Sequence, residues 1–253
     1  MVGRATAVLS RRRTLALVGL TIALVVYGAV AGSLWDVPTG LEVAVLSLVV
    51  FPTFAATIWL ALPLAGNSAG RLLAASAIAA GLAVALALVG LGSGSNMAKL
   101  ACYALLGYSF LSLFEELWWV ATVAVLIPWV DIWSVAAGPT RYVVQEKPGI
   151  FGNISVAFPN PGESSTVNVG PPDIVFFALF LAAAAKFRLR VAWTWLAMTG
   201  FLSLTLALVW QFEISGLPAL PAVSLGFLLP NADLLWRHVQ GARAARERGA
   251  SSG

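Results

Sequence analysis

The amino-acid sequence predicts an all-α polytopic membrane protein of about eight transmembrane helices, with a short β-hairpin in its one long loop. Three observations carry that expectation. Of 253 residues, 60% are hydrophobic and only 10% charged, against about 25% charged in an ordinary soluble domain. The mean hydropathy of +0.89 is more apolar than a water-soluble fold can hide. Several windows of about 18 or more residues carry few or no charges, the length that crosses a hydrocarbon core of about 30 Å as a helix.

Apolar runs between polar or Gly/Pro breaks place the spans at about 14–34, 41–64, 71–91, 97–114, 117–137, 172–187, 191–210 and 217–236. The first follows Arg11-Arg12-Arg13 and ends near Ala29-Val30-Ala31. A cleaved or twin-arginine signal has that form, but the apolar run is longer than a usual signal core and reads as an uncleaved span. Only Glu115 and Glu116 divide the fourth from the fifth, with no Gly or Pro at the turn. The sixth starts after Gly170-Pro171-Pro172, and the eighth opens Gly216-Leu217-Pro218-Ala219-Leu220-Pro221.

Cytoplasmic connections carry the excess of Lys and Arg, which orients the spans. With the amino terminus inside, Arg11 to Arg13, Arg71, Lys186, Arg188, Arg190 and a basic tail with Arg237, Arg243, Arg246 and Arg248 are cytoplasmic. Asp36, Glu42, Glu146 and Glu163 fall on the opposite side, with Lys99, Arg141 and Lys147 as the minority there. Both termini are then cytoplasmic. The Arg-rich ends, Arg4 included, fit an anionic leaflet and not nucleic acid, and high Ala, Gly and Arg usage fits a prokaryotic plasma membrane. A lone Cys102 leaves no intramolecular disulfide or thiolate cluster, and the single His238 lies in the tail, so no metal site and no cofactor are expected. The chain divides into a four-span scaffold over 1–114, a region 115–236 that holds the polar residues of interest, and a tail over 237–253, all in one membrane domain.

The loop from Gly138 to Gly170 differs in composition from the rest. Residues 152–158 alternate polar and apolar, Pro159-Asn160-Pro161-Gly162 interrupts them, and Ser165 to Val169 alternate again, which predicts a hairpin. It is either a structured lid or an edge that receives an extended peptide.

Carboxylates within apolar segments are costly and mark sites. Glu115, Glu116, Glu213 and Asp233 fall at turns or span ends and read as solvated interfacial charges. Asp131 lies inside its span, with no charge over 118–130 or 132–138. Asp173 opens the next span and is followed by 174–185 without a charge. An acid in the first turn after proline is also ordinary helix-start chemistry. The inferred topology brings both aspartates to the outer half of the membrane. Paired carboxyls there share a proton, one as general base towards water and the other as acid towards a carbonyl. Intramembrane acids serve a proton or cation relay equally well. The two prolines of Pro218-Ala219-Leu220-Pro221 leave backbone groups without helical partners, so that element is expected to line the cavity of the aspartates.

These motifs, in this order, resemble the presenilin and signal peptide peptidase family of intramembrane aspartyl proteases. Trp129-Val130-Asp131-Ile132-Trp133, followed by Gly138-Pro139-Thr140-Arg141-Tyr142-Val143-Val144, is similar to the family's first aspartate span and the basic segment after it. Gly170-Pro171-Pro172-Asp173 stands where the family has Gly-x-Gly-Asp, and Pro218-Ala219-Leu220 where it has Pro-Ala-Leu. Glu116-Leu117-Trp118 is similar to its Pro-Glu-Trp. The resemblance covers 115–236. It implies that Asp131 and Asp173 are the catalytic dyad, and that Pro218, Ala219 and Leu220, with Gly170 and Pro172, form the substrate-facing wall. It further implies transmembrane helices as substrates, with an extended stretch adding to the hairpin. Val130 stands for the family's tyrosine, Pro172 for its second glycine, and eight spans for its nine. An ion-coupled transporter and a proteolytically inactive scaffold are the other readings of the same residues. Asp173, near a helix N-terminus, is expected to be the base and Asp131 the acid.

Overall fold

The computed structural model describes residues 8–35, 37–137, 148–163, 165–212, 217–238 and 240. Arg4, Asp36, the 138–144 segment with Arg141, Glu146, Lys147, Glu213, Gly216, Arg243, Arg246 and Arg248 lie outside the described residues.

The described chain is mostly helical. The helices are α1 (Arg11–Val30), α2 (Thr39–Val45), α3 (Phe51–Ala61), α4 (Ala69–Leu88), α5 (Gly92–Phe110), α6 (Leu117–Ala137), α7 (Pro148–Ile154), α8 (Pro171–Lys186), α9 (Val191–Gln211) and α10 (Leu220–Leu228), with residues 232–238 helical beyond it. Among the described residues, five stretches are long and apolar enough to cross a membrane: Arg11–Ser33, Thr39–Gly66, Ala69–Leu88, Leu117–Val135 and Val191–Gln211. Three of the eight expected spans fall short of that standard for separate reasons. Helix α5 has 19 residues but includes Asn96 and Lys99, α8 has 16 residues, and α10 has 9 before the chain tightens at Leu229–Asn231 around Pro230.

The 16 residues of α8 reach only about 24 Å at 1.5 Å per residue. Yet it is the most enclosed helix: all of 174–184 except Phe176 are buried. Helix α5 packs along it, and α9, α10 and α6 complete the enclosure. Between apolar helices in lipid, association depends on close packing at small residues and not on removal from water. A Cβ on Gly107 of α5 would fall on the Val175 carbonyl oxygen and within 2.8 Å of the Ala178 Cβ. Gly226 of α10 touches the backbone of Met198 of α9 in the same way.

The long span from Thr39 is continuous through a π turn at Leu46–Val50. Pro52 has no N–H to donate, and the carbonyl of Ser47, five residues back, accepts instead from the Ser203 hydroxyl of α9 at 2.6 Å. A buried side chain thus supplies the donor that the helix lacks.

The expected hairpin is present as a two-stranded antiparallel sheet, β1 (Val156–Pro159) with β2 (Thr166–Val169), in register Val156 to Val169. Its first arm starts later than the alternation predicts, because Gly152 to Ile154 belong to α7. Pro148 provides a ready first helical position there, and the terminal Ile154 carbonyl is taken by the Tyr103 hydroxyl at 2.6 Å.

The expected turn at Glu115 and Glu116 is also present. Helix α5 ends at Phe110, and residues 114–116 are irregular before α6 begins at Leu117. Lys186 at the end of α8 donates to the carbonyls of Leu111 and Phe114, at 3.4 and 2.6 Å, in place of helical donors.

Candidate active site

Along α6, Leu117, Val120 and Ala124 are buried, while Trp118, Trp119, Trp129, Val130, Ile132 and Trp133 are exposed. The buried stripe has helical spacing, and Asp131 continues it seven residues beyond Ala124, half-buried on the inward side. Glu116 and Trp118, hydrogen-bonded to each other, mark the opposite end of the helix, about 20 Å from Asp131.

Asp173 is the third residue of α8. Gly170 is the N-cap, with Pro171 and Pro172 at the first two helical positions, where no N–H has a helical acceptor. Proline therefore removes no helix hydrogen bond there. The Gly170 N–H donates to Asp173 Oδ2 at 3.2 Å, and a side chain on Gly170 would approach that same oxygen at 3.1 Å. Pro172 itself is exposed.

The proline-flanked element closes the arrangement. Ala219 is the N-cap of α10, Leu220 its first residue, and the Leu220 N–H donates to Asp131 Oδ2 at 3.0 Å. Pro218 and Ala219 are half-buried beside it. Helix α10 packs on both α6, which carries Asp131, and α8, which carries Asp173, and α6 also meets α8. The site therefore gathers Asp131, Asp173, Gly170 and Leu220 from three helices, with Pro218 and Ala219 adjoining.

One expectation changes. Each carboxyl accepts one backbone N–H, and each lies at a helix start, Asp173 at α8 and Asp131 at α10. Helix position consequently does not separate base from acid.

The hairpin stands beside Asp173 by chain continuity, since β2 ends at Val169 and Gly170 follows. Four side chains distant in sequence clamp it. Asn96 of α5 donates to the Ala157 carbonyl at 3.1 Å and accepts the Ala157 N–H at 3.4 Å. Lys99 donates to the Ser155 carbonyl at 3.0 Å, Tyr103 holds Ile154, and Tyr27 of α1 donates to the Pro159 carbonyl at 2.6 Å. Ala157 therefore points its backbone groups away from β2. By the antiparallel pattern, its partner Asn168 points its own away from β1, on the other edge. The outer edge of β1 is occupied, whereas among the described residues no hydrogen bond engages the outward backbone groups of Asn168 on β2. Sequence reading placed Lys99 as a stray charge, although Asn96, Lys99 and Tyr103 share one helical face by spacing. It also counted Glu42 among the charges of the outer side, and Glu42 is 3% exposed within α2.

Replacing Asn96 by Ala is expected to free the hairpin without unfolding the bundle. Losing two hydrogen bonds of about 1 kcal/mol each raises local opening roughly tenfold or more. Faster amide exchange confined to 156–169 is the readout, and unchanged exchange there refutes the clamp.

Among the described residues no group of three or more His, Cys, Asp or Glu side chains converges to hold a metal ion. Asp233, exposed, forms a two-bond pair with Arg190 at 2.6 and 2.8 Å, in keeping with an interfacial charge. In comparisons with family models, curated proteins and solved structures, the chain matches none.

Proposed function

We propose that this chain is an intramembrane aspartyl endopeptidase, a presenilin-like member of its class, that cleaves transmembrane helices with water activated by Asp131 and Asp173. The observation that carries the reading is the Leu220 N–H on Asp131 in a site that also holds Asp173. Two carboxyls in one low-dielectric site hold one proton between them. The charged member takes a proton from water as its oxygen attacks the scissile carbonyl carbon, and the protonated member gives its proton to the carbonyl oxygen. Collapse of the resulting diol breaks the C–N bond, the amine leaves with a proton, and the pair regains its single-proton state. The substrate must be extended to expose that carbonyl, and the outward-facing backbone of Asn168 on β2 supports strand addition beside the site. Eight spans, cytoplasmic termini and a prokaryotic plasma membrane belong to the same proposal. In that arrangement α5, α8 and α10 enter the membrane as short or polar helices sheltered by the other five.

The test is cleavage of a fluorescent, helix-destabilised transmembrane peptide by purified protein. Cleavage by wild type that follows a bell-shaped pH profile, with one carboxyl charged and one protonated at the optimum, supports the reading. Ion flux in liposomes that depends on Asp131 without peptide cleavage assigns the chain to transport, and peptide binding without cleavage makes it a scaffold.

Leu220 supplies a sharper variant. Leu220→Pro deletes the N–H on Asp131 at a first helical position, and also disfavours the αR backbone of Ala219 before it. Leu220→Ile keeps that N–H and nearly the same volume. Loss of a hydrogen bond to a charged group, about 1.5–3 kcal/mol, is expected to lower kcat by roughly 10–100-fold in Leu220→Pro and little in Leu220→Ile. Equal rates in the two variants contradict a role for this donor.

A further inference from the structure

At the end of the bundle away from the aspartates, a cavity of about 670 Å³ opens among the starts of α1 and α4 and the ends of α5 and α8. Its polar lining includes Arg13, Asn67, Ser68, Ser109, Ser112 and Lys186, against apolar walls that include Leu62, Leu72 and Ala182. Two cations line it and no carboxylate does. Lys186 lies 13 positions along α8 from Asp173, about 20 Å away, so the cavity is separate from the candidate active site.

Its lining leaves several donors unused. Lys186 commits two of its three N–H groups to Leu111 and Phe114, which fixes the ammonium at the rim with one donor left. Among the described residues no hydrogen bond or ion pair engages the Arg13 guanidinium. Ser68 is the N-cap of the 20-residue α4, but its hydroxyl caps nothing, and no acid stands in the first turn. Arg71 and Leu72 donate to the Ser68 carbonyl, which leaves the N–H of Ala69, a residue of the cavity lining, as a first-turn donor without a helical acceptor. The Ser109 and Ser112 hydroxyls donate to the Leu106 and Ser109 carbonyls and offer no further proton. Positive charge, a helix N-terminus and an open cavity thus coincide, and no carboxylate among the described residues lines it.

We propose that this cavity binds a phosphate group, carried either by an anionic lipid head group at that membrane surface or by free phosphate. The proposal does not depend on the protease reading. The test uses full-length protein in neutral detergent, with thermal unfolding followed during titration with short-chain phosphatidylglycerol, short-chain phosphatidylcholine or inorganic phosphate. Saturable stabilisation by phosphatidylglycerol or by phosphate is expected, with phosphatidylcholine inert. Phosphatidylglycerol alone identifies the lipid source, phosphate alone the free anion, and response to both shows that the phosphate group suffices. Arg13→Gln removes an exposed side chain that supports nothing else, and is expected to weaken binding about fivefold, whereas Arg12→Gln, of equal charge but outside the cavity, changes it by less than about twofold. No saturable response to either anion, equal response to phosphatidylcholine, or equal weakening in the two variants overturns the proposal.

Discussion

Asp131→Asn and Asp173→Asn are each expected to lower peptide cleavage by roughly 10²–10⁴-fold, the range of a lost general acid or base, while the protein stays folded. Asn keeps an oxygen that accepts the Leu220 N–H or the Gly170 N–H, so the hydrogen bonds at 3.0 and 3.2 Å survive. What it removes is the ability to exchange a proton. The loss is expected at every pH, because the remaining carboxyl has no partner with which to divide acid and base roles. Asp131→Ala and Asp173→Ala remove the acceptor as well, and add a modest loss of thermal stability to the same loss of activity. Turnover by either Asn variant within tenfold of wild type would show that the two carboxyls do not act as a pair.

The largest effect on stability is expected at the two glycines on which the central helices meet. Gly226→Ala places a methyl group on the backbone of Met198, and Gly107→Ala places one on the Val175 carbonyl and the Ala178 side chain. Backbone cannot turn aside as a flexible side chain can, so α10 must move from α9, or α5 from α8. Overpacking of this kind costs typically about 1–3 kcal/mol. Activity should fall further than stability does, because α10 carries the Leu220 donor and α8 carries Asp173. Displacement of catalytic groups by about 1 Å can cost roughly 100-fold. Thermal unfolding and cleavage measured on the same preparations check this, and wild-type behaviour of Gly226→Ala refutes the close packing of α9 on α10.

How far the sequence foretold these features follows from the range of the interactions involved. The hairpin was legible because alternation and a Pro-Asn-Pro-Gly break are local signals, though Pro148 began a helix that the alternation over 152–154 concealed. The approach of Leu220 to Asp131 was legible only in outline. Prolines at 218 and 221 announced unpartnered backbone, but which group would take it up depended on how α10 crosses α6. The clamp of Asn96, Lys99, Tyr103 and Tyr27 on β1 was hidden because it joins helices to a loop more than fifty residues later, and a lone lysine on the outer side reads as an exception. Apolar runs alone suggested spans at α5, α8 and α10, but Asn96 and Lys99 in α5, the 16 residues of α8 and the 9 of α10 leave them short of the length and apolarity of the other five. Helix position alone does not single out Asp173 as the base, because a second helix start, that of α10, is delivered to Asp131 from 89 residues away.

The most direct test of the central claim is mass analysis of peptide fragments formed by wild-type protein in water enriched in the heavy oxygen isotope. Hydrolysis by dyad-activated water predicts two complementary fragments from one cut within the apolar segment, with a single heavy oxygen in the new carboxyl terminus and no fragments from Asp131→Asn or Asp173→Asn. Intact peptide after incubation with folded wild-type protein across the pH range, or fragments that persist in both variants, would contradict it.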